Sequence, residues 1–282
     1  MKRFTALVLL PFILSACGSG DEKGNTISLD MGEIENGVAE LTVSITDSND
    51  DPITEGEVSI TPVMNMDSGM THSTPVANQI GQLNNNGQMT ATAYFLMPSM
   101  NGTWHVDVLF NDINTTFDIN VDMMMSDRKV LKGNSSDLIQ HMESEVPRSY
   151  YLFNLGRMVN STHNQFTTYV AARETLMEYQ AITDGVVLNA NTQYEYTLGT
   201  VVVEMCSAAC DNEANWKTAV ENSDAAGEYT ATELNLTGDE NDIIEVRLSI
   251  GGETKTSDGS ETGNNASFSF ANASTSSPMS MM

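Results

Sequence analysis

Short runs of alternating apolar and polar residues, separated by clusters of turn residues, recur along most of this chain and limit its fold more than any other feature. Val38, Leu41, Val43 and Ile45 set the pattern, with every second side chain apolar from Leu41 onward. That is the period of a strand with one buried face. Asp47 to Pro52 is a turn cluster. Strand-like runs follow at Val58–Ile60, Gln88–Phe95, Trp104–Phe110 and Thr115–Val121. Strands at this spacing, with no long amphipathic helix, predict an antiparallel β-sandwich over residues 26–122.

The rhythm breaks over residues 123–146. Three consecutive methionines, Met123 to Met125, are followed by Arg128, Lys129, Lys132 and Gly133-Asn-Ser-Ser136. This segment reads as a linker with a short helix near Asp137–Met142. A second sandwich is expected over residues 147–270, from Tyr150–Phe153, Phe166–Leu176, Tyr194–Met205, Tyr229–Leu236 and Ile243–Ile250. Gly251-Gly252 signals a hairpin. Residues 271–282 read as a disordered Met- and Ser-rich tail. Two domains also suit a chain of 282 residues. Gly87-Gln-Met-Thr-Ala-Thr92 parallels Gly227-Glu-Tyr-Thr-Ala-Thr232. The match fits two copies of one fold, and it also fits ordinary strand-start chemistry.

The first residues give an address. Lys2 and Arg3 precede an apolar run, Phe4 to Leu14, that is too short to span a bilayer. It ends in Leu14-Ser-Ala-Cys17, which resembles the bacterial lipobox. The resemblance implies a signal peptide at residues 1–16, lipidation of Cys17 and a tether over residues 17–25. Gly18 after the cysteine implies sorting to the outer membrane, with the protein facing the periplasm. Cys206 and Cys210 then remain as an even pair, and an oxidising compartment makes a disulfide the default.

Twelve Lys and Arg against 38 Asp and Glu give a formal charge of −26. Nucleic acid and anionic lipid surfaces are poor partners for such a chain. From Gly24 to Asp127 there is no Lys or Arg but 15 acidic residues, and the only histidines there are His72 and His105. That composition draws cations and offers an anionic substrate no charged anchor. It also fits plain surface acidity.

One stretch has the composition of a ligand set: Met64-Asn-Met66-Asp-Ser-Gly-Met70-Thr-His72-Ser-Thr-Pro75. With Gly87-x-x-Thr-Ala and Met97-Pro-Ser-Met100-Asn-Gly102-Thr-Trp104-His-Val106, it resembles the YtkA-like and FixH-like periplasmic modules. That resemblance covers roughly residues 55–121. It implies an immunoglobulin-like sandwich and bacterial copper handling. Thioether is a soft ligand and imidazole a borderline one, a combination that suits Cu(I). In an extended chain Met64 and Met66 face one way, and a turn at Ser68-Gly69 would return Met70 and His72 beside them. Packing is the competing reading, because methionine readily fills gaps in cores.

The remaining candidates carry less. His105 follows Trp104 in a strand and faces away from it. Met123–Met125 and Met279–Met282 read as linker and tail. The acidic runs Asp47–Asp51 and Asp239–Asp242 lack the spaced oxygens of an EF-hand. No G-x-S-x-G, G-x-x-x-x-G-K, H-E-x-x-H or C-x-x-C occurs, so no enzymatic activity is expected and nothing indicates a small-molecule substrate. The expectation is an envelope lipoprotein with a copper-binding module at Met64, Met66, Met70 and His72. The alternative is a non-catalytic lipoprotein without a metal site that docks on another envelope protein.

Overall fold

The computed structural model describes residues 24–122, 127–160, 164–239 and 241–270. The signal peptide, Cys17, Met123–Met125, His163 and residues 271–282 lie outside them. The described chain is built of β-strands, with two short 3₁₀ turns at Ser99–Asn101 and Glu213–Asn215. No helix among the described residues is long and apolar enough to cross a membrane.

The first module contains β1 (Thr26–Met31), β2 (Val38–Thr46), β3 (Glu57–Met66), β4 (Thr71–Ser73) and β5 (Val76–Ala77). It continues through β6 (Ile80–Gln82), β7 (Gln88–Tyr94), β8 (Gly102–Phe110) and β9 (Ile113–Ile119). One sheet has the order β1-β2-β7-β5, the other β4-β3-β8-β9 with β6 also on β3. The alternation puts Leu41, Val43 and Ile45 of the first sheet against Val58, Ile60, Val106 and Val108 of the second, all fully buried. Each such side chain contributes about 1.5–3 kcal/mol. A one-residue slip of register would turn the whole set toward water.

The second module begins with β10 (Arg128–Lys132), β11 (Leu138–His141), β12 (Ser144–Pro147), β13 (Ser149–Val159), β14 (Asn164–Arg173) and β15 (Tyr179–Ala181). Next come β16 (Val187–Leu188), β17 (Tyr196–Thr197), β18 (Val201–Cys206), β19 (Lys217–Thr218) and β20 (Val220–Glu221). It ends with β21 (Glu228–Ala231), β22 (Ile243–Ile250), β23 (Glu253–Lys255) and β24 (Ala266–Ser269). Its sheets run β10-β13-β14-β21-β20 and β19-β18-β22-β23, with β15 on β14 and β24 on β22.

The two modules repeat one topology. Replacing β1, β2, β7, β5 by β13, β14, β21, β20, and β4, β3, β8, β9 by β19, β18, β22, β23, carries both four-strand orders of the first module into the second, where β10, β15 and β24 are additions and β6 has no counterpart. The matching hexapeptides sit at equivalent places, at the starts of β7 and β21. Gly87 (φ +72°) and Gly227 (φ +83°) both have left-handed backbone. A Cβ on Gly87 would meet the Ile45 carbonyl at 2.7 Å, and one on Gly227 the Val170 carbonyl at 2.8 Å. Each glycine also accepts a hydrogen bond from that same neighbour's N–H, at 2.9 and 2.8 Å. Glycine is required at both for the same reason.

The segment expected to be a linker differs from that reading. From residue 127 it belongs to the second module, and the helix expected near Asp137–Met142 is a β11–β12 hairpin instead. Strand β10 covers the edge of β13, with Leu131 in the core. Asp137 and Arg148 are fully buried and paired, Nε to Oδ1 at 2.7 Å. Arg148 also donates to the carbonyls of Arg173 and Tyr194 and to Asn189 Oδ1. Tyr150 donates its hydroxyl to Asp137, and Lys255 lies 3.6 Å from the same carboxylate. A buried pair with its remaining donors satisfied anchors the hairpin, and removing one partner of such a pair is costly.

The modules also share a third apolar cluster. Val38, Tyr94 and Leu96 of the first pack on Tyr151, Phe153, Tyr169 and Ala171 of the second. The Ser73 N–H donates to the Leu176 carbonyl across the same junction, at 3.0 Å.

Candidate functional site

The β3–β4 hairpin carries the Met/His stretch. Its turn is Asp67-Ser68-Gly69, with Gly69 at φ +83° donating its N–H to the Met66 carbonyl at 2.9 Å. Met64 pairs with His72 and Asn65 with Thr71. The Met66 N–H then donates to the Met70 carbonyl at 2.9 Å, which continues the register and sets Met66 opposite Met70. Side chains two apart on a strand, and those directly opposite across a pair, share a face. Met64, Met66, Met70 and His72 therefore occupy one face of the hairpin, as two cross-strand pairs.

Depth separates the four. Met64 is fully buried in the first core, in a cross-strand row between Trp104 of β8 and His72 of β4. Met66, Met70 and His72 are half-buried. His72 Nε2 lies 2.6 Å from Met66 Sδ. On the other flank Met66 faces Gly102, where a Cβ would come within 2.8 Å of the Met66 Cα. Glycine there lets the strands close up and leaves the Met66 flank without a covering side chain. Burial, reinforced by the Arg173 guanidinium, holds the His72 imidazole below its usual value. The ring is thus neutral, with a lone pair to offer, at neutral pH.

An ion bound at about 2.3 Å from sulfur and about 2.0 Å from nitrogen would hold those atoms roughly 3.5 Å apart. The donor set is neutral and soft, the chemistry of a Cu(I) site. Among the described residues no group of three or more His, Cys, Asp or Glu is arranged to hold a metal, so a site at this hairpin would depend on methionine sulfur. Arg173 disfavours any cation nearby, and its Coulomb cost is twice as large for a dication as for Cu(I).

The other sequence candidates are dispersed. His105 faces away from the core on β8, with Nε2 3.8 Å from Asp107 Oδ2. His141 Nδ1 accepts from Arg173 Nη2 at 2.6 Å. Cys206 and Cys210 are joined in a disulfide, with Cα atoms 5.7 Å apart. That disulfide starts at the last residue of β18, the strand equivalent to β3, so the two modules place their sulfur-bearing segments at matching positions. Asp47 and Asp242 cap their own turns: Asp47 accepts from the Asn49 and Asp51 N–H groups, and Asp242 from Thr237 and Gly238. Sequence reading did not single out Arg173, which reaches the His72 environment from the other module. Comparison of the chain with family models and with curated proteins returns no match.

Proposed function

We propose that this chain is a lipid-anchored protein of the bacterial envelope whose first module captures Cu(I) or hands it on, through Met66, Met70 and His72 above Met64. The carrying observation is the hairpin register, which gives three sulfurs and one imidazole a common face. His72 would supply a neutral nitrogen, Met66 and Met70 half-buried thioethers, and Met64 a buried sulfur at the floor. No thiolate is available in this module, which disfavours zinc. The resemblance to YtkA-like and FixH-like modules points the same way.

The two modules are read as immunoglobulin-like. Their shared strand orders correspond to A-B-E-D facing C′-C-F-G, which supports that assignment. Anchoring through Cys17 would keep the site within reach of an envelope partner, and replacing Cys17 with Ser should release the protein from membranes.

Anaerobic Cu(I) competition against a chromogenic chelator tests the metal reading. It uses the Cys17→Ser protein and a variant carrying Met66→Leu, Met70→Leu and His72→Ala. Leucine keeps most of the volume of methionine, so the fold should survive. The parent should withdraw one equivalent of Cu(I) and the variant none. Equal competition by both would overturn the reading and favour an interaction protein without a metal site.

A further inference from the structure

We propose that the junction between the modules holds a small oxyanion, bound by Lys132, Ser149 and Arg173. The three residues lie in one cross-strand row. Lys132 pairs with Ser149 in the β10–β13 register. The pairing of Tyr150 with Ala172 sets Ser149 opposite Arg173, and Arg173 pairs in turn with Tyr179 of β15. Side chains in a cross-strand row share a face. Residues two positions further along the same strands, Val130, Tyr151 and Ala171, pack in the cluster between the modules. The row therefore faces the first module. From that side come the Leu176 contact to Ser73 and His72, which feels the Arg173 charge.

The charges in this row are unbalanced. In a chain with 38 acidic residues, none of the ion pairs among the described residues involves Lys132 or Arg173. Instead the two cations lie near each other, and the Lys132 ammonium is made less basic by burial and by the Arg173 charge. Arg173 Nη2 donates to His141 Nδ1. Arg173 Nε is buried and has no hydrogen-bond partner. Burying a guanidinium N–H unpaired next to a second cation is costly, and an anion would relieve both penalties.

The donors suit an oxyanion. Lys132 uses one N–H on Ser149 Oγ at 2.7 Å, leaving two, and the Ser149 hydroxyl hydrogen is free to point at a ligand. With Arg173 Nε–H the row offers donors of three types, two of them charged. A ligand on this row would lie on the face that the second module turns to the first and would brace their docking. This proposal does not depend on the copper reading.

Titration calorimetry of the full-length protein in detergent, with inorganic phosphate and with sulfate, tests it. Sodium chloride at matched ionic strength controls for screening of the acidic surface. Saturable binding of one anion is expected, with the melting temperature raised above the chloride control. Lys132→Met and Arg173→Met should each weaken binding by about tenfold or more, the effect of losing one charge-assisted hydrogen bond. No saturable heat in the parent would overturn the proposal. So would undiminished binding in the variants, which would mark a general salt effect. If Arg173→Met fails to fold, Lys132→Met decides, since its one side-chain hydrogen bond is to Ser149.

Discussion

Tyr94 of the first module stacks face to face on Tyr169 of the second, with ring centroids 3.8 Å apart and planes inclined by 7°. Both rings are buried, and Phe153 packs against each of them. The modules thus share an aromatic core. Tyr94→Ala should cost about 3–5 kcal/mol, the range for emptying a large aromatic site. Calorimetry should show one unfolding transition in the parent and two in the variant. Two independent transitions in the parent would contradict the coupling.

Glu228 stands beside this stack, with Tyr94 Oη 3.5 Å from Oε1. Burial raises the Glu228 carboxyl above its ordinary value. The folded state therefore favours the protonated form. Its stabilising contribution is complete below about pH 4.3 and is lost as pH rises through the raised value. Glu228→Gln, a neutral mimic, should melt above the parent at pH 7, and the difference should vanish near pH 4. Melting curves across that range check the sign.

His72 titrates in the opposite sense. Burial and Arg173 lower it, so NMR of the metal-free protein should give a midpoint below 6.5. Replacing Arg173 with Gln should move that midpoint upward. An unchanged midpoint would separate the two modules electrically at this point.

Gly87→Ala and Gly227→Ala test the repeated topology. Each imposes a left-handed backbone on alanine and drives its Cβ toward a neighbouring carbonyl. Each should destabilise by about 1–3 kcal/mol, and by similar amounts. Chemical denaturation would report the difference. A neutral effect at either would break the equivalence of β7 and β21.

Short-range periodicity in the chain encodes its local elements. Alternation in Leu41-Thr-Val43-Ser-Ile45 names a strand and its buried face, and Ser68-Gly69 between two Met-containing runs names the turn that aligns Met66 with Met70. Strand β22 runs over the residues its apolar pattern marks, Ile243 to Ile250, and turns at Gly251-Gly252 into β23. Long-range contacts, not local pattern, assign the segment from Arg128 to Pro147 to the second module. Its basic residues and turn cluster read locally as a linker, yet Leu131 is core and Asp137 is buried against Arg148 and Lys255, the latter more than a hundred residues away. The same holds for Arg173, whose nearness to Lys132 and His72 depends on strand register and module docking. Cross-strand rows join residues far apart in the chain, and the pairing free energy that selects them is shared among many weak contacts. A local pattern shows which face a side chain takes, and the assembled sheets determine its neighbours there.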